Sequence, residues 1–167
     1  MQPEQKSRLL TGLFFALCLF IADQISKHLI YDLIQNPPRQ IVLTSFFNLT
    51  PVWNRGVSFG MFKAGDETQV YALILVALVI SSVVFAWLLK APDRSHALCY
   101  GAIIGGALGN VVDRLRFHAV FDFFDFHIGG WHYPAFNIAD ASIVCGVAVL
   151  LLLTFREQKR HKTVKGD

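Results

Sequence analysis

The chain has 167 residues, of which 54% are hydrophobic and only 16% charged, with 13% aromatic, and its mean hydropathy is +0.47. Average chains carry about 25% charged residues, so this balance excludes a disordered protein and argues against a water-soluble enzyme, pointing instead to a chain solvated mainly by lipid. A formal net charge of +3 implies no polyanion, and no nucleic-acid partner is expected. Cys18, Cys99 and Cys145 all lie in apolar stretches, an odd set that reads as small hydrophobes rather than a disulfide framework.

Taken in chain order, Leu9–Ala22 is the first apolar run, 14 uncharged residues that continue helically through Asp23 and Lys27. Lys6 and Arg8 before it resemble a secretory signal, but the run ends in Asp23-Gln24 with no small-x-small cleavage site, so an uncleaved first helix is expected over about 9–29. Residues 40–62 are rich in Val, Thr, Phe and Trp with breaks at Asn48, Pro51 and Asn54–Gly56, which predicts short β-strands lying on the membrane surface. Val70–Leu89 has 20 uncharged residues, enough to span a hydrocarbon core of about 30 Å, and predicts a second helix over about 69–89. A third helix is expected over about 95–113 and a fourth over about 137–156, each short of a full span unless polar residues are drawn into the membrane. Between them, Phe121, Phe123, Phe124, Phe126, Trp131 and Tyr133 suit an aromatic belt at the headgroup level, and Gly129–Gly130 suggests a flexible loop. With no repeat and no linker, residues 1–167 read as a single domain: an all-α membrane protein of four transmembrane helices with a small surface β-sheet. Nine Lys and Arg residues fall on the N-terminus, the middle turn and the C-terminal tail, against six spread over the two longer loops; the positive-inside rule then puts both termini in the cytoplasm and the sheet outside.

Charges at membrane depth default to a functional hypothesis. Counted from the cytoplasmic ends at 1.5 Å per residue, Asp23, Asp113 and Asp140 lie about 22, 28 and 24 Å deep, a single layer just under the outer surface. Asp122 and Asp125 sit on the loop that begins and ends in that layer. Asp23 and Lys27 are spaced i,i+4, as are Asn110 and Arg114, while Asn137 and Asp140 are i,i+3, so each pair shares a helix face. The bland alternatives are an interfacial anchor for Asp23–Lys27, a cap tying a helix end to a loop for Asn110–Arg114, and an N-cap role for Asp140. Gly101, Gly105 and Gly109, with Ala102 and Gly106, form small-xxx-small faces that permit close helix packing.

Several chemistries are set aside. No H-E-x-x-H string exists, and His118, Asp122, Asp125, His127 and His132 match no standard ligand spacing, so no metal and no cofactor are expected. Ser26 and Lys27 point about 100° apart on a helix and cannot form a dyad. Cys145 has no histidine near it, and Cys99 with His96 sits at the opposite membrane face. A carboxylate pair remains: two acids in a low-dielectric layer share one proton, the state that activates water against an amide. Asp140 is one member; on physical grounds its partner could be Asp122, Asp125, Asp113 or Asp23. A proton-coupled transporter using the same acids is the rival, disfavoured because relay acids should be distributed through the membrane.

The ordered strings Asp23-Gln24-Ile25-Ser26-Lys27, Asn54-Arg55-Gly56-Val57-Ser58-Phe59, the block from Gly105 to Arg114, Val120-Phe121-Asp122-Phe123 and Phe136-Asn137-Ile138-Ala139-Asp140 closely resemble the bacterial lipoprotein signal peptidases, signal peptidase II. The resemblance runs from about Leu9 to Phe155. It implies a four-helix aspartic peptidase of the cytoplasmic (inner) membrane, with a periplasmic β-sheet, a mobile loop over the site and an active site near the periplasmic face. It makes Asp122 the partner of Asp140, with Asp23, Lys27, Asn54, Gly56, Asn110, Arg114 and Asn137 shaping the site. Expected partners are membrane lipids and diacylglyceryl prolipoproteins, cleaved before the lipidated cysteine, with cyclic peptides such as globomycin as inhibitors; a monomer is expected.

Overall fold

The computed structural model describes residues 2–56 and 67–165, with side chains through residue 158. Val57, Ser58 and Phe59 of the second motif, and the end of the expected β region to residue 62, lie outside the described residues. Four helices, α1 (Pro3–Ile34), α2 (Glu67–Leu88), α3 (Arg94–Phe117) and α4 (Ile138–Lys165), are each long and apolar enough to cross a membrane. Every helix except α2 extends well past its apolar run, because hydrogen bonding continues into polar residues where hydropathy stops. Local signals set the ends: Pro3 opens α1, Asp93 caps α3 by accepting from the His96 amide at 2.9 Å, and His118 closes it in the left-handed region at φ 55°.

α3 is the central helix, with 72% of its apolar window buried against 17–22% in the other three. Glycine makes this possible. A Cβ on Gly101 would strike the Gly12 carbonyl, one on Gly105 the Ala16 carbonyl, and one on Gly106 the Ala139 carbonyl. The Gly101–Gly105–Gly109 face thus receives α1 and the Ala102–Gly106 face receives α4, as the four-residue spacing predicts. The other helices turn large apolar side chains outward, among them Phe14 and Ile25 on α1 and Leu75 on α2, as lipid-facing surfaces do.

The sheet is larger than the first loop alone suggests. β1 (Ile41–Thr44), β2 (Phe47–Asn54), β3 (Val120–Ile128) and β4 (Trp131–His132) form one antiparallel sheet in the order β1-β2-β3-β4. β3 and β4 come from the segment expected to be an aromatic belt. Phe121 and Phe123 are 2% and 0% exposed and pack with Ile34 and Leu49, whereas Phe126, Trp131 and Tyr133 do lie on the surface. Both groups are aromatic, and only pairing with β2, remote in sequence, separates core from belt. Gly129 and Gly130, at φ 57° and 86°, form the tight turn between β3 and β4. Pro51 is accommodated where β2 bulges, two of its residues facing Phe123 alone between the pairs Leu49–Phe124 and Val52–Asp122.

Candidate active site

Where the bundle meets the sheet, polar side chains gather into two connected layers. The first is a buried ion cluster. Lys27 Nζ lies 2.7 Å from Asp23 Oδ2, 2.8 Å from Asp113 Oδ2 and 3.2 Å from Asn110 Oδ1. An ammonium has three donors, and all three are used. Asp23 Oδ1 accepts from the Ala139 amide at 2.9 Å, meeting one of the unpaired N–H groups that open α4. Gln24 completes the layer, donating to Asp113 Oδ1 at 3.1 Å and to the Gly109 carbonyl at 3.3 Å. Asp23 is wholly buried, so an exposed interfacial anchor does not describe this pair.

The second layer holds the two other acids. Asn137 is the N-cap of α4 and Asp140 its third helical residue: the Asp140 amide donates to Asn137 Oδ1 at 3.0 Å, and the Asn137 amide donates to Asp140 Oδ2 at 3.2 Å. This reciprocal box corrects the N-cap alternative for Asp140, which sits one turn inside, half-buried, with Oδ1 free to accept from Asn110 Nδ2 at 2.8 Å. Asn137 Nδ2 then reaches Asp122 Oδ1 at 2.7 Å and Asn110 Oδ1 at 3.3 Å. Asn54, across the sheet on β2, donates to Asp122 Oδ2 at 3.1 Å, and its Oδ1 accepts from the Gly56 amide at 2.9 Å, with Gly56 at φ 93°. Two asparagine amides therefore join Asp122 and Asp140 to each other and to Lys27. Arg114 lies within electrostatic reach of both acids and donates weakly to the Asn110 carbonyl at 3.4 Å.

Asp122 is 1% exposed. Burial, then the charge of Asp140, pushes its carboxyl from 3.8 up to about 7, against the hydrogen bonds of Asn54 and Asn137 and the charge of Lys27. The remaining candidates for a partner to Asp140 have other occupations. Asp113 and Asp23 share Lys27 as their ion-pair partner. Asp125, three residues along β3, points to the opposite face of the strand, where its carboxylate meets His132 at 2.6 Å, Thr50 at 2.9 Å and Asn48 at 3.2 Å. Burial works to raise its pKa, but these hydrogen bonds outweigh it and hold the group below the usual carboxylate range. Of the metal-ligating types weighed in this loop, only His132 and Asp125 form an ion pair with each other among the described residues.

The roles of Gln24 and Asp113 were not separable by helical spacing; the one signal was their place within the motifs. The Asn54–Asp122 contact was equally hidden, since it depends on β2–β3 pairing.

Two solved structures described as bacterial membrane enzymes share this architecture, one with TM-score 0.74 at 25% identity over 90% of each chain, the other with TM-score 0.74 at 26% identity over 86% of this chain and 92% of its own. Fold and site together thus define a multi-pass membrane enzyme. A family model for signal peptidase (SPase) II matches residues 15–156, which is most of the chain. The lipoprotein signal peptidase of Methylobacterium sp. (strain 4-46) is 43% identical over 91% of this chain and 93% of its own, and that of Anaplasma phagocytophilum (strain HZ) is 41% identical over 83% and 87%. The chain belongs to the signal peptidase II family and is a peptidase.

Proposed function

We propose that this enzyme removes the signal peptide from diacylglyceryl-modified prolipoproteins, cleaving before the lipidated cysteine, with Asp122 and Asp140 as an aspartic dyad. The observation that carries the reading is the shared environment of the two acids: both are bonded to the Asn110–Asn137 amide pair, and burial beside Asp140 keeps Asp122 partly protonated near neutral pH. One proton held between two carboxylates supplies a base and an acid at once. The ionised member takes a proton from water as its oxygen attacks the scissile carbonyl carbon, and the protonated member donates to the carbonyl oxygen. A proton then passes to the departing amide nitrogen as the C–N bond breaks. The titration belongs to the pair, so neither acid is assigned one role.

The acids lie where the apolar helices end and the sheet begins. A peptide bond beside an acyl-anchored cysteine would be held at that same level. The asymmetry of basic residues supports an inner-membrane chain with cytoplasmic termini and a periplasmic site. Both carboxylates come from one chain, which supports a monomer as the functional unit; cyclic peptides such as globomycin are the inhibitor class to test.

The decisive experiment follows conversion of a lipid-modified prolipoprotein in detergent by wild type, Asp122→Asn and Asp140→Asn. Each variant is expected to lose at least about 10²-fold in rate. Turnover within a few-fold of wild type by either would overturn the dyad.

A further inference from the structure

Behind the strand that carries Asp122 lies a cavity of about 240 Å³ that Asp122 and Asp140 do not line. Strand alternation sets it apart: Phe121 points into this cavity, and Asp122, the next residue, points away. Its floor is the Lys27–Asp113 ion pair with Gln24. Its wall is aromatic, with Tyr31, Trp53, Phe117 and Phe121 in mutual contact: ring centroids are 5.6 Å apart for Tyr31–Phe121, 5.1 Å for Trp53–Phe121 and 5.4 Å for Trp53–Phe117. Opposite charges rim it from two helices. Arg116 on α3 is exposed and makes no ion pair with a described residue, while Asp32 on α1 is exposed and among the described residues pairs only with His28, which also lines the cavity, at 3.7 Å.

The position matters as much as the lining. Lipid-facing Ile25 and Leu29 precede Asp32 on α1, and Leu115 and Phe117 flank Arg116 on α3, so the rim stands where hydrocarbon gives way to headgroups. An unpaired arginine at that depth is suited to a lipid phosphate. An aromatic wall beside a carboxylate suits an ammonium, held by the ring faces and by charge. A ligand that satisfies both carries a phosphate and an ammonium a few ångströms apart. We infer that this cavity is a binding site for a zwitterionic phospholipid headgroup, with the phosphate on Arg116 and the ammonium between Asp32 and the Tyr31–Trp53 wall. A diacylglyceryl group bears neither charge, so the site selects bulk lipid over the lipid moiety of the proposed substrate. Its floor also touches the site's scaffold, since Asp113 Oδ2 accepts from the Phe121 amide at 3.4 Å and so bears on the strand that carries Asp122.

The test is native mass spectrometry of the purified full-length enzyme released from micelles containing equal amounts of phosphatidylethanolamine, phosphatidylglycerol and diacylglycerol. One retained phosphatidylethanolamine is expected, favoured at least 5-fold over either competitor. Arg116→Gln and Asp32→Asn, both at exposed positions, are each expected to cut that retention at least 5-fold. Displacement of the lipid by millimolar glycerophosphoethanolamine, which has the headgroup but no acyl chains, supports a site that reads the headgroup. Failure of that displacement puts the affinity in the chains and overturns the inference. Equal retention of phosphatidylglycerol, or retention unchanged in both variants, overturns it as well.

Discussion

Lys27 carries more of the site than any other side chain, because its three donors bind three acceptors from two helices and nothing replaces them. Lys27→Met would leave Asp23 and Asp113 buried and uncompensated, a change that costs about 3–5 kcal/mol where one partner of a buried pair is removed. The expected outcome is a lower midpoint of thermal unfolding in detergent, with activity lost together with the fold. Asp122 behaves in the opposite sense. Its folded-state pKa of about 7 is raised above 3.8, so between those values the native state keeps a proton that the unfolded chain releases. Native stability attributable to this group therefore falls as pH rises from about 4 to about 7. Wild type should lose thermal stability between pH 5 and 8, and Asp122→Asn, which cannot ionise, should lose less; parallel curves would refute the assignment. In the proposed dyad the same ionisation should set the alkaline limb of the pH–rate profile near 7. Asn54→Ala, which removes a hydrogen bond to the charged form, should move that limb upward.

At the scale of elements, α3 is a glycine-faced rod on which α1 and α4 are seated, and its stability depends on contact too close for a side chain. Gly105→Ala places a methyl against the Ala16 backbone, which cannot swing aside. Gly146→Ala meets its nearest atoms at 3.0 Å, the Cys99 carbonyl oxygen and Ile103 Cγ1, a milder approach that can relax in part. Overpacking costs about 1–3 kcal/mol, so Gly105→Ala should lower the unfolding midpoint clearly and Gly146→Ala less. A reversed order, measured by thermal unfolding in one detergent, would refute this account of the packing. The glycine spacing made α3's role readable from sequence. The sheet was half readable: residues 40–54 combine strand-forming residues with turn breaks, whereas in β3 the aromatics are interrupted by Asp122, Asp125 and His127 at uneven intervals, so no period of two distinguishes a strand from a membrane-surface anchor.

At the scale of the whole molecule, Asp23, Asp113, Asp122 and Asp140 gather where α1, α3 and α4 meet the sheet, while the basic turn and tail lie at the other end of the bundle. Orientation can be tested directly. In a background lacking Cys18, Cys99 and Cys145, a cysteine at Gly130 should react with a membrane-impermeant maleimide added to spheroplasts, and one at Arg94 only after lysis. The reverse pattern would invert the proposed topology.

The sequence by itself determined that the chain is a membrane protein, roughly where it crosses, and that its acids gather at one depth, because hydropathy and helical rise are local properties. Family motifs carried it further, to the proposed dyad of Asp122 and Asp140. Tertiary structure decided how those acids are held: which of them pair with Lys27, which asparagine amides bridge Asp122 and Asp140, and that Asp125 faces away. Those distinctions rest on strand register and on helix-to-helix distance, which connect residues up to 116 positions apart and leave no trace in local spacing.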